Sequence, residues 1–282
     1  MPTRALFTAA NADYLPGVVA LLRSVERHHP GIPRYCMVMP GTEATARAAI
    51  GNLAEVLTPP RAVAGVPEHL QMCVLRLFAP LLPVDVVAYI DADAILCAPV
   101  PELWEVSGGK VRACATGPRT VLNSMPTRYK PGFLRLFTHV EDRRCFNSGV
   151  FSFECASWRD LPERFESAIV RCGFDQNYHP ILDQPILHGL FGDSFDWLPM
   201  QFNVGNLFDT RIPRDTRILH FTGGKCKPWN PRYPRHEPQW LWWLQHGLGE
   251  TDPIKLALAR LRIALRTPQR ELTRYLRRRR EN

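Results

Sequence analysis

Two aspartates one residue apart, in Asp91-Ala92-Asp93, follow directly on Val84-Asp-Val-Val-Ala-Tyr-Ile90, a nearly continuous apolar run. Such a run reads as a central parallel strand, and like charges at the end of a buried strand repel unless a cation meets them. In open α/β sheets, ligands bind beyond the carboxyl ends of strands, so the pair is placed to offer oxygen ligands to a divalent cation. An Asp pair that merely caps the next turn is the bland alternative. A second apolar run, Ile218-Leu219, ends in His220-Phe-Thr-Gly-Gly-Lys-Cys-Lys-Pro-Trp229. His220 offers an imidazole as a third ligand, although a lone His after a strand is more often structural. Gly223 and Gly224 let the backbone approach a diphosphate closely, and Lys225 or Lys227 supplies a point charge for it. Two carboxylates with one imidazole suit Mn2+ better than Mg2+, which prefers oxygen and water and remains the alternative.

Two further segments carry polar groups in informative places. In Phe146-Asn-Ser-Gly-Val-Phe-Ser-Phe153, a strand begins with the Asn147 amide, the Ser148 hydroxyl and Gly149. Amides read sugar hydroxyls well because they offer both donors and acceptors. In Leu182-Asp-Gln-Pro-Ile186, Asp183 and Gln184 open a helix, and locally they read as an N-cap followed by an ordinary first turn.

The elements that must position these groups follow an α/β pattern. Strands are expected at Arg4–Ala9, Tyr35–Met39, Glu55–Leu57, Val84–Ile90, Val111–Ala115, Phe146–Phe153, Trp197–Phe202 and Arg217–Phe221. Helices are expected over Leu15–Val25, Ala44–Leu53, Glu68–Phe78, Trp158–Cys172 and Leu182–Phe191. Residues 117–144, rich in turn formers and basic groups, read as a long irregular excursion of the kind that often carries function. There is no internal repeat. The eight cysteines are scattered without a CxxC pair and read as buried, reduced thiols.

Taken in order, the segment Thr8-Ala-Ala-Asn-Ala-Asp-Tyr14 with Gly17, the DxD pair, Asn147-Ser-Gly, Leu182-Asp-Gln-Pro and the His220 to Trp229 stretch resemble glycosyltransferase family 8. This family holds the glycogenin-like and lipopolysaccharide-galactosyltransferase-like enzymes, and the resemblance runs from Ala5 to Trp229. It implies an α/β GT-A fold, a Rossmann-like domain with a mixed sheet. It also implies Mn2+ and a UDP-sugar donor, UDP-glucose or UDP-galactose, whose sugar passes with retention of configuration to a glycan or glycolipid acceptor. Carried over by position, Asp91, Asp93 and His220 ligate the metal. Ala9, Asn11 and Tyr14 pack around the uracil and ribose, and Ala92, Asn147, Ser148 and Asp183 line the donor, with Asn147 and Asp183 on sugar hydroxyls. Gln184 sits beneath the anomeric carbon, so that Gln184, Asp183 and Arg76 form the catalytic set. Gly223 and Lys227 meet the diphosphate. One departure concerns the last of these: the family pattern spaces its His and Lys-Pro-Trp lysine by six residues, whereas Lys227 lies seven after His220, which makes Lys225 the competitor.

A nucleotidyltransferase would need a Gly-rich loop after the first strand, where Ala9-Ala-Asn-Ala stands instead. An inactive nucleotide-sugar-binding homologue would be expected to have lost metal or sugar residues, and all are present. The formal net charge of +8 suggests nucleic acid only until it is located. Of 35 basic and 27 acidic residues, ten and two lie in 253–282, which leaves 25 of each in the body. The chain therefore divides into a catalytic domain, 1–249, and a basic amphipathic tail, 250–282. In the tail Ile254, Leu258, Leu261 and Leu265 fall on one helical face. An apolar stripe with an arginine-rich remainder fits an anionic membrane surface. No run is long and apolar enough to span a bilayer, so the expected location is cytoplasmic, peripheral at the inner membrane face, with no nucleic-acid partner.

Overall fold

The computed structural model describes residues 2–140, 143–175, 177–205, 212–222, 227–230 and 238–265, with the side chains of 116–119 left aside. The chain opens with β1 (Arg4–Ala10), α1 (Leu15–His28), β2 (Arg34–Val38), α2 (Glu43–Ile50) and β3 (Glu55–Leu57). A 3-10 helix, Glu68–Leu81, leads to β4 (Val86–Ile90) and β5 (Ala94–Leu96). Next come β6 (Val111–Thr120), α3 (Lys130–Leu136), β7 (Arg144–Glu154), α4 (Leu161–Cys172), α5 (Asp183–Phe191), β8 (Phe195–Trp197), β9 (Val204–Gly205) and β10 (Ile218–His220). The short α6 (Pro238–Trp242) precedes α7, residues 253–265.

Seven strands form one mixed sheet in the order β3-β2-β1-β4-β7-β6-β8, and β5-β10-β9 form a small second sheet. Strands β1 to β4 pair in parallel, whereas β7 runs antiparallel to both β4 and β6. This is the mixed α/β arrangement that the resemblance implies. Because side chains alternate along a strand, neighbouring residues divide between two cores. Phe7, Tyr89 and Phe151 join the core under α4 and α5, while Leu6, Ala88 and Val150 join the one under α1 and α2. The first core is dense in aromatic rings, with Phe146, Phe151, Phe153, Phe165 and Phe191 fully or almost fully buried. Each such burial stabilises the fold by about 1.5–3 kcal/mol. Trp243 packs edge-on against Phe221 in a third cluster that Trp240 and Trp242 flank, so this tryptophan group serves packing.

Three sequence expectations change. Trp197–Phe202 is not a strand: the ladder ends at Leu198, whose N–H reaches the Ala113 carbonyl, and Pro199 has no N–H with which to continue it, so Met200–Phe202 turns as a 3-10 segment. The excursion at 117–144 is largely ordered, since β6 extends to Thr120 and α3 occupies its middle. The helix before β4 is wound throughout as a 3-10 helix. Five of the seven described cysteines are buried, and Cys226 lies outside the described residues.

Candidate functional site

The two sheets bring the predicted ligands together by register. Asp91 follows the last residue of β4, and the antiparallel pairing of Ile90 with Val150 sets Gly149 and Asn147 beside it. The Asp91 N–H donates to the Gly149 carbonyl at 2.8 Å. In the small sheet, His220 pairs with Ala94, and the Phe221 N–H donates to the Asp93 carbonyl at 2.8 Å. One ligand atom from each of Asp91, Asp93 and His220 therefore lies within 4.8 Å of the others. His220 Nε2 stands 3.1 Å from Asp93 Oδ1 and 3.6 Å from Asp91 Oδ2.

The donor set fits a divalent cation on two grounds. First, the Asn203 amide nitrogen donates to Asn147 Oδ1 at 2.9 Å, and the Asn203 oxygen faces His220 Nδ1 at 3.0 Å. That oxygen can only accept, so Nδ1 carries a proton and the ring is oriented with Nε2 toward the carboxylates, the nitrogen it would offer to a metal. Second, a Cβ added to Gly149 would lie 2.2 Å from His220 Cε1 and 2.6 Å from Asp91 Oδ2. The strand can pass this cluster only as glycine. Burial alone would raise the Asp93 pKa, but His220 and Lys227 outweigh it and hold the carboxyl well below the usual range. Conversely, burial would lower His220, and Asp93 raises it.

Arg76, projecting from the 3-10 helix, organises the other half of the site. It donates to the Ser148 carbonyl at 2.6 Å and to the Ser148 hydroxyl at 2.9 Å. Its guanidinium also lies 3.3 Å from Asp91 and 3.6 Å from Asp183, over the Tyr89 ring at 4.9 Å. Asp183 is buried, and desolvation raises its pKa although Arg76 opposes the shift. Gln184 Oε1 accepts from the Ser148 N–H at 3.1 Å, while its amide nitrogen points to Cys145 Sγ at 3.3 Å. The buried Tyr89 hydroxyl donates to Asp91 in a short bond.

The first and last segments of the site meet as well. Trp229 donates from its indole to the Asp13 carbonyl at 3.0 Å and meets Tyr14 edge-on at 5.5 Å. A Cβ on Gly17 would come within 2.3 Å of the Ala92 carbonyl and 2.6 Å of the Trp229 ring. Burial, aided by Asp93, pushes the Tyr14 hydroxyl up to about 12. Ala9 and Ala92 are buried, and Asn11 lines a cavity of about 460 Å³ with Met39, Glu68, His69 and Met72. Lys227 Nζ donates to Asp93 Oδ2 and to the Phe221 carbonyl, each at 2.6 Å. Gly223 and Lys225 lie outside the described residues.

Sequence reasoning missed Asn203, Tyr89 and Tyr178. Asn203 sits in a stretch with no motif, and Tyr89 is hidden in a run that reads as core. Tyr178, a buried phenol within electrostatic reach of Asp183, Cys73 and Arg76, has no local signal at all.

Comparison with known proteins agrees with this geometry. Residues 5–232 match the sequence profile of Glycosyl transferase family 8. No curated protein sequence matches the chain. Among solved structures, the galactosyltransferase LgtC in complex with donor and acceptor sugar analogues is similar with a TM-score of 0.64 at 18% identity, over 90% of this chain and 99% of LgtC. An active-site glutamine-to-glutamate mutant of LgtC gives a TM-score of 0.60 at 19% identity, over 81% of this chain and 90% of that one. GlyE of Streptococcus pneumoniae gives 0.60 at 18% identity, over 91% of this chain and 62% of GlyE. At these identities the structures establish the fold, which is like that of the GT-A glycosyltransferases. The profile spans most of the chain, and the protein is therefore a glycosyltransferase belonging to family 8.

Proposed function

We propose that this glycosyltransferase moves glucose or galactose from a UDP-sugar to an acceptor hydroxyl on a cell-surface or lipid-linked glycan, with retention of configuration and with Mn2+ on Asp91, Asp93 and His220. The observation that carries the reading is the convergence of those three ligands beside Arg76, Asp183 and Gln184 at the carboxyl end of β4. LgtC, whose structure holds donor and acceptor sugar analogues, supports the substrate class. Its glutamine-to-glutamate mutant supports giving a glutamine a place in the active site.

The bound cation would supply Lewis acidity to the diphosphate as negative charge develops there. Asp91 and Asp93 provide charge to hold it, and Asn203 keeps the His220 lone pair directed inward. Arg76 fixes Ser148, Asp91 and Asp183 relative to one another, so Asp183 is positioned to accept from a sugar hydroxyl. Gln184 is a poor nucleophile, which favours arrival of the acceptor on the face that the diphosphate vacates over a carboxylate double displacement. Lys227, or Lys225, would add counter-charge at the departing phosphate. Residues 1–249 would form the catalytic domain.

Helix α7 extends the proposal to a membrane surface. Leu256 and Ala259 are buried against the body, whereas Ile254, Leu258, Leu261 and Leu265 are exposed. The apolar stripe thus faces away from the body, with basic residues on the chain around it. Among the described residues no helix is long and apolar enough to cross a membrane, so contact would be peripheral and, for a UDP-sugar enzyme, at the cytoplasmic leaflet. Release of UDP from UDP-glucose or UDP-galactose, measured with and without Mn2+, tests the central reading. Equal release without metal, or no release from either donor, overturns it.

A further inference from the structure

A second cavity, of about 610 Å³, opens between α3 and the segment following α4, and its lining includes Arg128, Arg135, Phe174, Asn177, Tyr178 and His179. We propose that it receives the acceptor, and that the acceptor carries an anionic group, a phosphate or a carboxylate, read by Arg128 and Arg135. The inference rests on the transferase reading above and adds the chemical class of its second substrate.

Charge comes first. No described residue that lines the cavity is acidic. Elsewhere Arg112, Arg143 and Arg164 each lie beside an aspartate, but among the described residues neither Arg128 nor Arg135 is paired with a carboxylate. Both are nevertheless held in place. Arg128 stacks over the Tyr129 ring at 4.7 Å and donates to its hydroxyl at 2.8 Å, and that hydroxyl donates in turn to the Asn177 carbonyl at 2.8 Å. Arg135 donates a single bond to the Cys172 carbonyl at 3.3 Å. Each guanidinium thus keeps donors for a planar anion, for which its fork is suited.

Rigidity and place follow. Gly132 lies so close to the end of α4 that an added Cβ would stand 2.1 Å from the Cys172 carbonyl, which fixes one wall against the other. Tyr178 is a wall of the cavity, is only 7% exposed, and its hydroxyl has no partner. The same phenol lies within electrostatic reach of Asp183 and Arg76. The cavity wall is also continuous with the proposed donor site, since His179 leads through the Pro180–Leu182 turn directly into Asp183 at the start of α5. The volume lies within the range of small-molecule sites.

Isothermal titration of the full-length protein with glucose 6-phosphate, glucuronate, glucose and inorganic phosphate tests the proposal, using the native chain, Arg128→Gln, Arg135→Gln and the double variant. The two sugar acids are expected to bind the native chain more tightly than glucose. Loss of charge-assisted bonds should weaken that binding about tenfold or more in the double variant, with UDP affinity retained. Arg128→Gln alters an exposed side chain and serves if the double variant fails to fold. Preference for one acid over the other identifies the anion. Equal binding of the acids by native and variant proteins, no binding of either acid, or inorganic phosphate binding as tightly as the sugar phosphate overturns the acceptor assignment. UDP release in the same preparations reports the donor reading separately.

Discussion

At the scale of single residues, the proposed metal ligands are the most exposed to test. Asp91→Asn and His220→Ala should each lower transfer by about a hundredfold or more while far-ultraviolet circular dichroism is unchanged, because each removes a ligand from a polar cluster. Asp93→Asn should do the same and also lower the unfolding midpoint. Lys227 is buried on that carboxylate, and removing one partner of a buried pair strands the other. Near-native turnover of any of the three at limiting Mn2+ would remove that residue from the metal site. Gly149→Ala is a sharper probe, since it deletes no ligand. The added methyl collides with His220 and Asp91, so calorimetry should show Mn2+ affinity reduced about 10- to 100-fold. For the phosphate lysine, Lys227→Ala is expected to weaken UDP binding more than Lys225→Ala. The reverse order would transfer the role to Lys225.

At the scale of elements, β7 and α5 carry both site residues and core. His188 lies on α5, fully buried against Phe146, Phe195 and Trp197. Its Nδ1 accepts from the Phe146 N–H at 3.4 Å, so it is neutral there. Burial, with Arg143, lowers its pKa from 6.5 to about 4. The unfolded chain therefore binds a proton that the folded chain refuses, and stability must fall as pH drops from about 6.5 toward 4. The full effect of one such group is about 3 kcal/mol. Urea midpoints between pH 7 and pH 4.5 should decline more steeply in the native protein than in His188→Gln. His220, whose raised pKa acts in the opposite direction, is common to both proteins and cancels in the comparison. Parallel declines would show that His188 is not held neutral.

At the scale of the whole molecule, the sequence sets a neutral body, residues 1–252, against a basic stretch, 253–282, that carries the whole net charge of +8. Each Lys or Arg near an anionic leaflet contributes about 1 kcal/mol, and the exposed stripe of α7 adds apolar contact. The full-length protein should co-sediment with phosphatidylserine vesicles at low salt and less at high salt. Replacing Ile254, Leu258, Leu261 and Leu265 with serine should weaken binding while Leu256 and Ala259 keep the helix docked. Binding by neither form, or equal binding by both, would rule out the membrane surface and leave the glycosyltransferase assignment intact.

The residue types and their order determined the chemistry. An apolar run ending in Asp91-Ala-Asp93 and another ending in His220 were legible because strand ends are where α/β sheets collect ligands. Strands with clear alternation or apolar continuity, such as β1, β4 and β7, were legible for the same local reason. Tertiary structure alone decided which groups meet across the chain. The antiparallel register of β4 with β7 puts Gly149 against Asp91, and that of β5 with β10 puts His220 against Asp93. Neither register has a local signature, since pairing is set by the whole pattern of buried faces. For the same reason Asn203 could not be seen orienting His220, nor Tyr178 lying within electrostatic reach of Asp183 and Arg76. The direction of the stripe on α7 was equally invisible. Its sequence has apolar residues on both sides, and only docking through Leu256 and Ala259 determined which side was left exposed.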